Sequence, residues 1–282
     1  MATACICCVP VSVCGASAFM AQVLGKQVAA PREYSPDILE AIDRSAARST
    51  LPSHRVLTCG HDVWHLYELS WLDAQGAPVS FVGVLTIPAS SPATVESKSL
   101  KLYLNALNFK GFVSTDDANH TICRDLSAVV GSAVDLTLWS PEDLGDITIV
   151  PEGTLVDFIK VNSGQKTEPL SVGKRQGEWC YVSHSLRSLC PVTGQPDWAT
   201  LVIRYSGLEL QSAGLAAYVA SYREHQGFHE SCLEKIFVDL AQVTAAEQLA
   251  VTAYFQRRGG IDITPHRSTR PSAPKPWRMG RQ

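Results

Sequence analysis

Four groups of residues have the types and spacing that chemistry needs. Cys190 stands in SLCPVTGQPDW at 188–198, where Pro191, Gly194 and Pro196 make a rigid turn entering a strand. A thiol held by such a turn can face a cleft, and it becomes a nucleophile as thiolate once a neighbour takes its proton. Asp197 is the nearest candidate along the chain for that task. His229 and Glu230 are adjacent, so they do not share a helix face, but at a helix start both can reach one pocket. The imidazole suits proton donation near neutrality. A buried carboxylate suits two parallel hydrogen bonds to the N–H groups of a guanine-like edge. Lys98 and Lys101 share a helix face and, with the hydroxyl of Ser97 and free N–H groups at the helix start, form a clamp for phosphates. Arg257-Arg258-Gly259-Gly260 offers a second phosphate-type site.

Each group has a plainer alternative. Free cysteine is commonly a small buried hydrophobe, an acid at a helix start commonly caps it, and paired lysines commonly form a solvated face. Metal binding by His229, Cys232, Cys190 and His184 lacks a CxxC pair to nucleate it, and a zinc-bound thiolate would lose its nucleophilic freedom, so no metal is expected. No GxGxxG or GxxxxGK[ST] loop is present, so a nicotinamide cofactor would not be held by a Rossmann unit.

The elements that must position these residues come in two similar sets. Ser97, Leu100 and Tyr103 match Ser212, Leu215 and Tyr218; Gly111-Phe112 matches Gly227-Phe228; and Asp125-Leu126 matches Asp239-Leu240, at offsets that drift only slightly. Order retained with small drift marks a diverged duplication. Each half has a strand first (64–71; 200–205), then a Gly turn, then a helix carrying Leu100, Leu104 and Leu107 or Leu215, Val219 and Tyr222. A second helix carries Ile122, Leu126 and Val129 or Ile236, Phe237 and Leu240, and strands close each half (133–138 with 154–161; 249–254). This ββααββ plan, used twice, predicts an α+β fold with an antiparallel sheet and helices on one face. Chemistry divides between the halves: the first keeps the lysines, the second the thiol, the histidine and two acids.

The chain has 282 residues, is 45% hydrophobic, and carries a net charge of −3. The acidic balance argues against direct nucleic-acid binding. Nine cysteines in a long chain read as mostly reduced thiols, which fits a cytoplasmic protein. Residues 1–23 are apolar and Cys-rich, but no Lys or Arg precedes Lys26 and Pro10 interrupts the run, so a poorly ordered tail is expected rather than a signal peptide or membrane span. The expected organisation is a tail over 1–23, modules over 24–165 and 166–268, and a loose Pro-, Arg- and Ser-rich tail over 269–282.

Taken together, ESKSLKLY at 96–103, CPVTGQPDW at 190–198, GFHE at 227–230 and RRGGIDITPHRS at 257–268 resemble the 7-cyano-7-deazaguanine reductases (QueF) in their long, two-module form. DVWHLYELSWL at 62–72 also resembles that form, and the likeness runs from about residue 24 to about 268. The resemblance implies tandem tunnelling-fold modules and reduction of the nitrile of 7-cyano-7-deazaguanine to an aminomethyl group, with NADPH as cofactor, in tRNA queuosine biosynthesis. By the same likeness Cys190 attacks the nitrile carbon to form a thioimide, Asp197 serves as acid/base, and His229 is a second proton donor and substrate contact. Glu230 reads the deazaguanine edge, and Val95, Glu96 and Ser97 line the substrate pocket. Ser97, Lys98, Lys101, Arg258 and Gly259 bind NADPH, and the chain forms a homodimer. The rival readings are a zinc-dependent pterin cyclohydrolase relative, a non-catalytic purine-binding module and a thiol peroxidase.

Overall fold

Residues alternate along the strands between a face packed on helices and a face turned away from them. In β10 (Gln248–Phe255), Leu249, Val251, Ala253 and Phe255 are buried against α5 (His229–Thr244), which contributes Leu233, Ile236, Phe237 and Leu240. The computed structural model describes residues 29–52, 57–159, 169–273 and 275–282. Within these, β1 (Ala41–Asp43) and α1 (Arg44–Arg48) lead into the hairpin β2 (Gly60–Leu72) and β3 (Pro78–Pro88), followed by β4 (Ala93–Val95). Then come α2 (Ser97–Leu107), α3 (Thr115–Val130) and β5 (Asp135–Trp139), with the short strands β6 (Thr148–Ile149) and β7 (Thr154–Leu155) after them. The second half has β8 (Val172–Leu189), β9 (Pro196–Leu210), α4 (Ser212–Ser221), α5, β10 and β11 (Ile261–Ser268), and β12 (Arg278–Met279) follows.

Eight strands form one sheet in the order β5-β3-β2-β11-β10-β9-β8-β7, antiparallel except for the β7–β8 pair. The halves join where β11 pairs with β2, setting Ile263 opposite Trp64. The protein is therefore α+β, with α2 and α3 closing one apolar core and α4 and α5 the other. Residues matched between the halves make equivalent bonds: Tyr103 donates to Asp125 at 2.8 Å in the first half, and Tyr218 to Asp239 at 2.6 Å in the second. Each bond ties one helix of its half to the next.

Three features differ from the sequence reading. The strand expected over 154–161 is reduced to β7, which pairs with β8 at the far edge of the sheet and not beside β5; residues 160 and 161 lie outside the described ones. A long strand, β8, precedes the one read as first in the second half. Its polar first half (KRQGE) alternates weakly because only residues from Tyr181 onward are buried there. The segment after Thr269, expected to be loose, folds back onto the sheet. Arg281 donates to Ala199 O at 3.0 Å, and Gln282 Nε2 to Phe255 O at 3.1 Å and Thr264 Oγ1 at 2.9 Å, while Met279 is buried. Strand carbonyls supply the partners that its proline-rich composition does not advertise. The N-terminal tail over 1–23 lies outside the described residues.

Between the two cores lies a buried ionic network. Arg267 of β11, fully buried, donates to Asp62 at 2.8 Å and to Glu234 at 2.7 Å; Arg44 reaches Asp62 at 2.6 Å, and Arg48 reaches Glu234 at 2.6 Å. Burial alone opposes ionisation of Glu234, but the hydrogen bond from Arg48 and the charge of Arg267 hold its carboxyl below the usual range. Replacing Glu234 with Gln leaves buried guanidinium groups short of counter-charge. This is expected to destabilise the fold by about 3–5 kcal/mol, read as a lowered denaturant midpoint at unchanged slope.

Candidate active site

The hairpin between β8 and β9 places the thiol. Cys190 N donates to Gln195 O at 2.9 Å and Gly194 N to Cys190 O at 2.9 Å, and Gly194 takes a left-handed φ of +65° that closes the turn. Cys190 thus lies between two strands rather than ahead of the first one, the position its sequence context suggested. Its half-buried thiol lines a cleft at the seam of the two halves.

Asp197, the second residue of β9, lines the same cleft and is 3% exposed. Its Oδ2 lies 3.3 Å from His229 Nε2, and its Oδ1 lies 3.1 Å from Arg258 Nη1, without an aligned hydrogen bond on Oδ1 among the described residues. Arg258 is fixed in turn by donating to Pro196 O at 2.9 Å. His229 opens α5, and its ring stacks on Phe255 at 4.1 Å between centroids, which fixes the imidazole against the carboxylate. Glu230 follows in the first turn, where the helix dipole favours negative charge. Its carboxyl is buried, and Thr94 Oγ1 donates to Oε1 at 3.1 Å. Burial, with Asp62 nearby, raises the Glu230 pKa above the ordinary carboxylate value.

From the first half, β4 and the start of α2 supply Val95, Glu96, Ser97 and Lys101 to the cleft. Glu96 caps α2: Oε1 accepts from Lys98 N at 2.9 Å and Oε2 from Ser99 N at 2.7 Å. Its carboxylate is therefore largely committed to the helix, so it shapes the pocket wall. Lys101 lies one turn on. Burial lowers its proton affinity, although the carboxylates of Glu96 and Asp197 favour its charge. Its side chain also lines a neighbouring groove with Tyr67, Asn105, Gly259 and Gly260. A Cβ at position 259, where φ is +57°, would sit 3.2 Å from Lys101 Cδ and Cε, so glycine there lets the lysine stem lie flat.

The cleft thus brings together Cys190, Asp197, His229, Glu230, Val95, Glu96, Ser97, Lys101 and Arg258. Gly259 lines the adjoining groove, and Lys98 is among the lining residues of neither. Trp64, Thr94, Phe228 and Gln256 were missed by the sequence reading. Of these, Phe228 sat in the duplicated Gly-Phe pair and was legible as a motif residue. Thr94 carries no signal beyond its place next to Val95.

Known proteins resemble the chain over most of its length. A family model described as "Nitrile reductase, 7-cyano-7-deazaguanine-reductase N-term" matches residues 30–138, and one described as "QueF-like protein" matches 196–273. The chain is 45% identical over 266 residues to the NADPH-dependent 7-cyano-7-deazaguanine reductase of Acinetobacter baumannii (strain AYE), covering 92% of this chain and 98% of that protein. It is 43% identical over 253 residues to the protein of the same name from Desulfotalea psychrophila, covering 87% and 92%. Likeness of this extent, over both halves, shows that the chain belongs to the family of NADPH-dependent 7-cyano-7-deazaguanine reductases.

Proposed function

We propose that this protein reduces the nitrile of 7-cyano-7-deazaguanine to a primary amine in the queuosine pathway, through a covalent thioimide on Cys190. The observation that carries this reading is the convergence, in one cleft, of a thiol, a histidine paired with a buried aspartate, and a buried carboxyl. Glu230 accepts two N–H bonds from the aminopyrimidinone edge of the substrate and sets the nitrile toward the hairpin. Cys190 sulfur adds to the nitrile carbon, and its proton passes by way of Asp197 to the nitrile nitrogen, giving a C=N bond that is far easier to reduce than the triple bond. NADPH, when bound, supplies a hydride for each of two reductions. Between them the carbon–sulfur bond breaks and the thiolate leaves. His229, paired with Asp197, delivers protons to nitrogen as the amine forms. Exclusion of water from the cleft protects the imine from hydrolysis.

The adjoining groove, where Lys101 lies against Gly259, is the place for the cofactor. Lys101 joins cleft to groove, and Gly259-Gly260 bares backbone N–H groups in left-handed conformation. Ser97, Lys98, Lys101, Arg258 and Gly259 are the residues that would hold NADPH. We further read the two halves as tandem tunnelling-fold modules over 24–165 and 166–268, in a cytoplasmic homodimer. Asp197→Asn keeps the shape but removes the base. It is expected to lower kcat by about 10²–10⁴-fold while changing the substrate Kd little, measured by single-turnover kinetics beside equilibrium binding.

A further inference from the structure

Trp64 is 1% exposed and lines the cleft from β2, yet its indole Nε1–H has no hydrogen-bond partner among the described residues. A buried donor left unpaired costs about 1–3 kcal/mol, and native proteins rarely carry that cost without a reason. The neighbouring wall suggests the reason. Asp62, two residues earlier on the same strand face, is close enough to act on the Glu230 carboxyl. Trp64 and Glu230 line the same cleft. Glu230 is an acceptor there, and the Thr94 hydroxyl is already spent on its Oε1. A guanine-type edge offers two donors, the ring N–H and the amino group, and one acceptor, the carbonyl oxygen beside that ring N–H. Glu230 can take the donors, but it cannot serve the carbonyl.

We propose that Trp64 Nε1–H donates to the carbonyl oxygen of the substrate's pyrimidinone ring, making Trp64 a specificity residue that separates guanine-type from carbonyl-lacking deazapurines. This rests on the proposed deazaguanine substrate. A site built to bond a substrate oxygen discriminates strongly against the analogue without it, because the orphaned donor then stays unpaired. The indole ring, opposite Ile263 on the paired strand, lines the cleft with Ile42 and Ile263 and supplies an apolar wall around that single donor.

The test uses equilibrium binding to the full chain in a Cys190→Ala background, so that covalent capture does not contribute. The ligands are 7-cyano-7-deazaguanine and its analogue lacking the ring carbonyl. Trp64→Phe should weaken the first about tenfold or more and leave the second unchanged. Equal weakening of both, or of neither, overturns the inference. Failure of the Cys190→Ala protein itself to bind 7-cyano-7-deazaguanine would instead overturn the substrate reading. Because Trp64 is a core residue, a second readout avoids relying on the variant's fold. In protein labelled with ¹⁵N-tryptophan, the Trp64 indole N–H proton, one among six tryptophans, should move downfield on binding 7-cyano-7-deazaguanine and not on binding the analogue. An unshifted or equally shifted signal overturns the proposal.

Discussion

Cys190→Ala is expected to abolish turnover, by about 10⁴-fold or more, while leaving affinity for 7-cyano-7-deazaguanine within a few-fold of the parent. The asymmetry follows from position. Cys190 sits in a turn closed by its own backbone hydrogen bonds, so loss of the sulfur should not disturb the hairpin. The carboxyl proposed to grip the heterocycle lies on a different element, at the start of α5. Without sulfur the nitrile remains a triple bond, and neither His229 nor Asp197 can make it accept a hydride. Steady-state NADPH oxidation together with ligand titration measures both arms. Substantial residual turnover would mean that no covalent step is needed.

Glu230→Gln is expected to raise the substrate Kd by about 10²–10³-fold, because two charge-assisted hydrogen bonds become one neutral bond and one clash between donors. The pH dependence has a defined sign. Burial and Asp62 raise the pKa of this carboxyl, and only its ionised form accepts both N–H groups. Substrate affinity of the parent should therefore climb as pH rises through that raised pKa and level off above it. The Gln variant should show no such climb. A titration of Kd against pH for both proteins checks the magnitude and the sign together.

How far the site could be read from sequence depended on the kind of interaction. Motif residues that face one cleft from short turns, such as Cys190 and Asp197 in one hairpin and His229 and Glu230 in one helical turn, were legible because local spacing fixes their neighbourhood. The matched spacing of Tyr103 with Asp125 and of Tyr218 with Asp239 was legible too, and each pair makes the same bond in its half. Contacts across the seam were not. Arg258 was read as a phosphate ligand, but it also holds Asp197, and only the β9–β10 pairing brings them together. Lys98 and Lys101 share a helix, yet which of them meets the cleft depends on how α2 is rotated against β2. Strand β8 was missed because its exposed half lacks alternation, and the C-terminal segment because its anchors are strand carbonyls, which no side-chain pattern reports.

The central claim is that Cys190 attacks the nitrile, and intact-mass measurement reaches it most directly. Protein mixed with 7-cyano-7-deazaguanine in the absence of NADPH should gain the mass of one substrate molecule per chain, since addition of a thiol to a nitrile expels nothing. The Cys190→Ala protein should gain none. No adduct on the parent protein, or an adduct that persists in Cys190→Ala, would contradict the account.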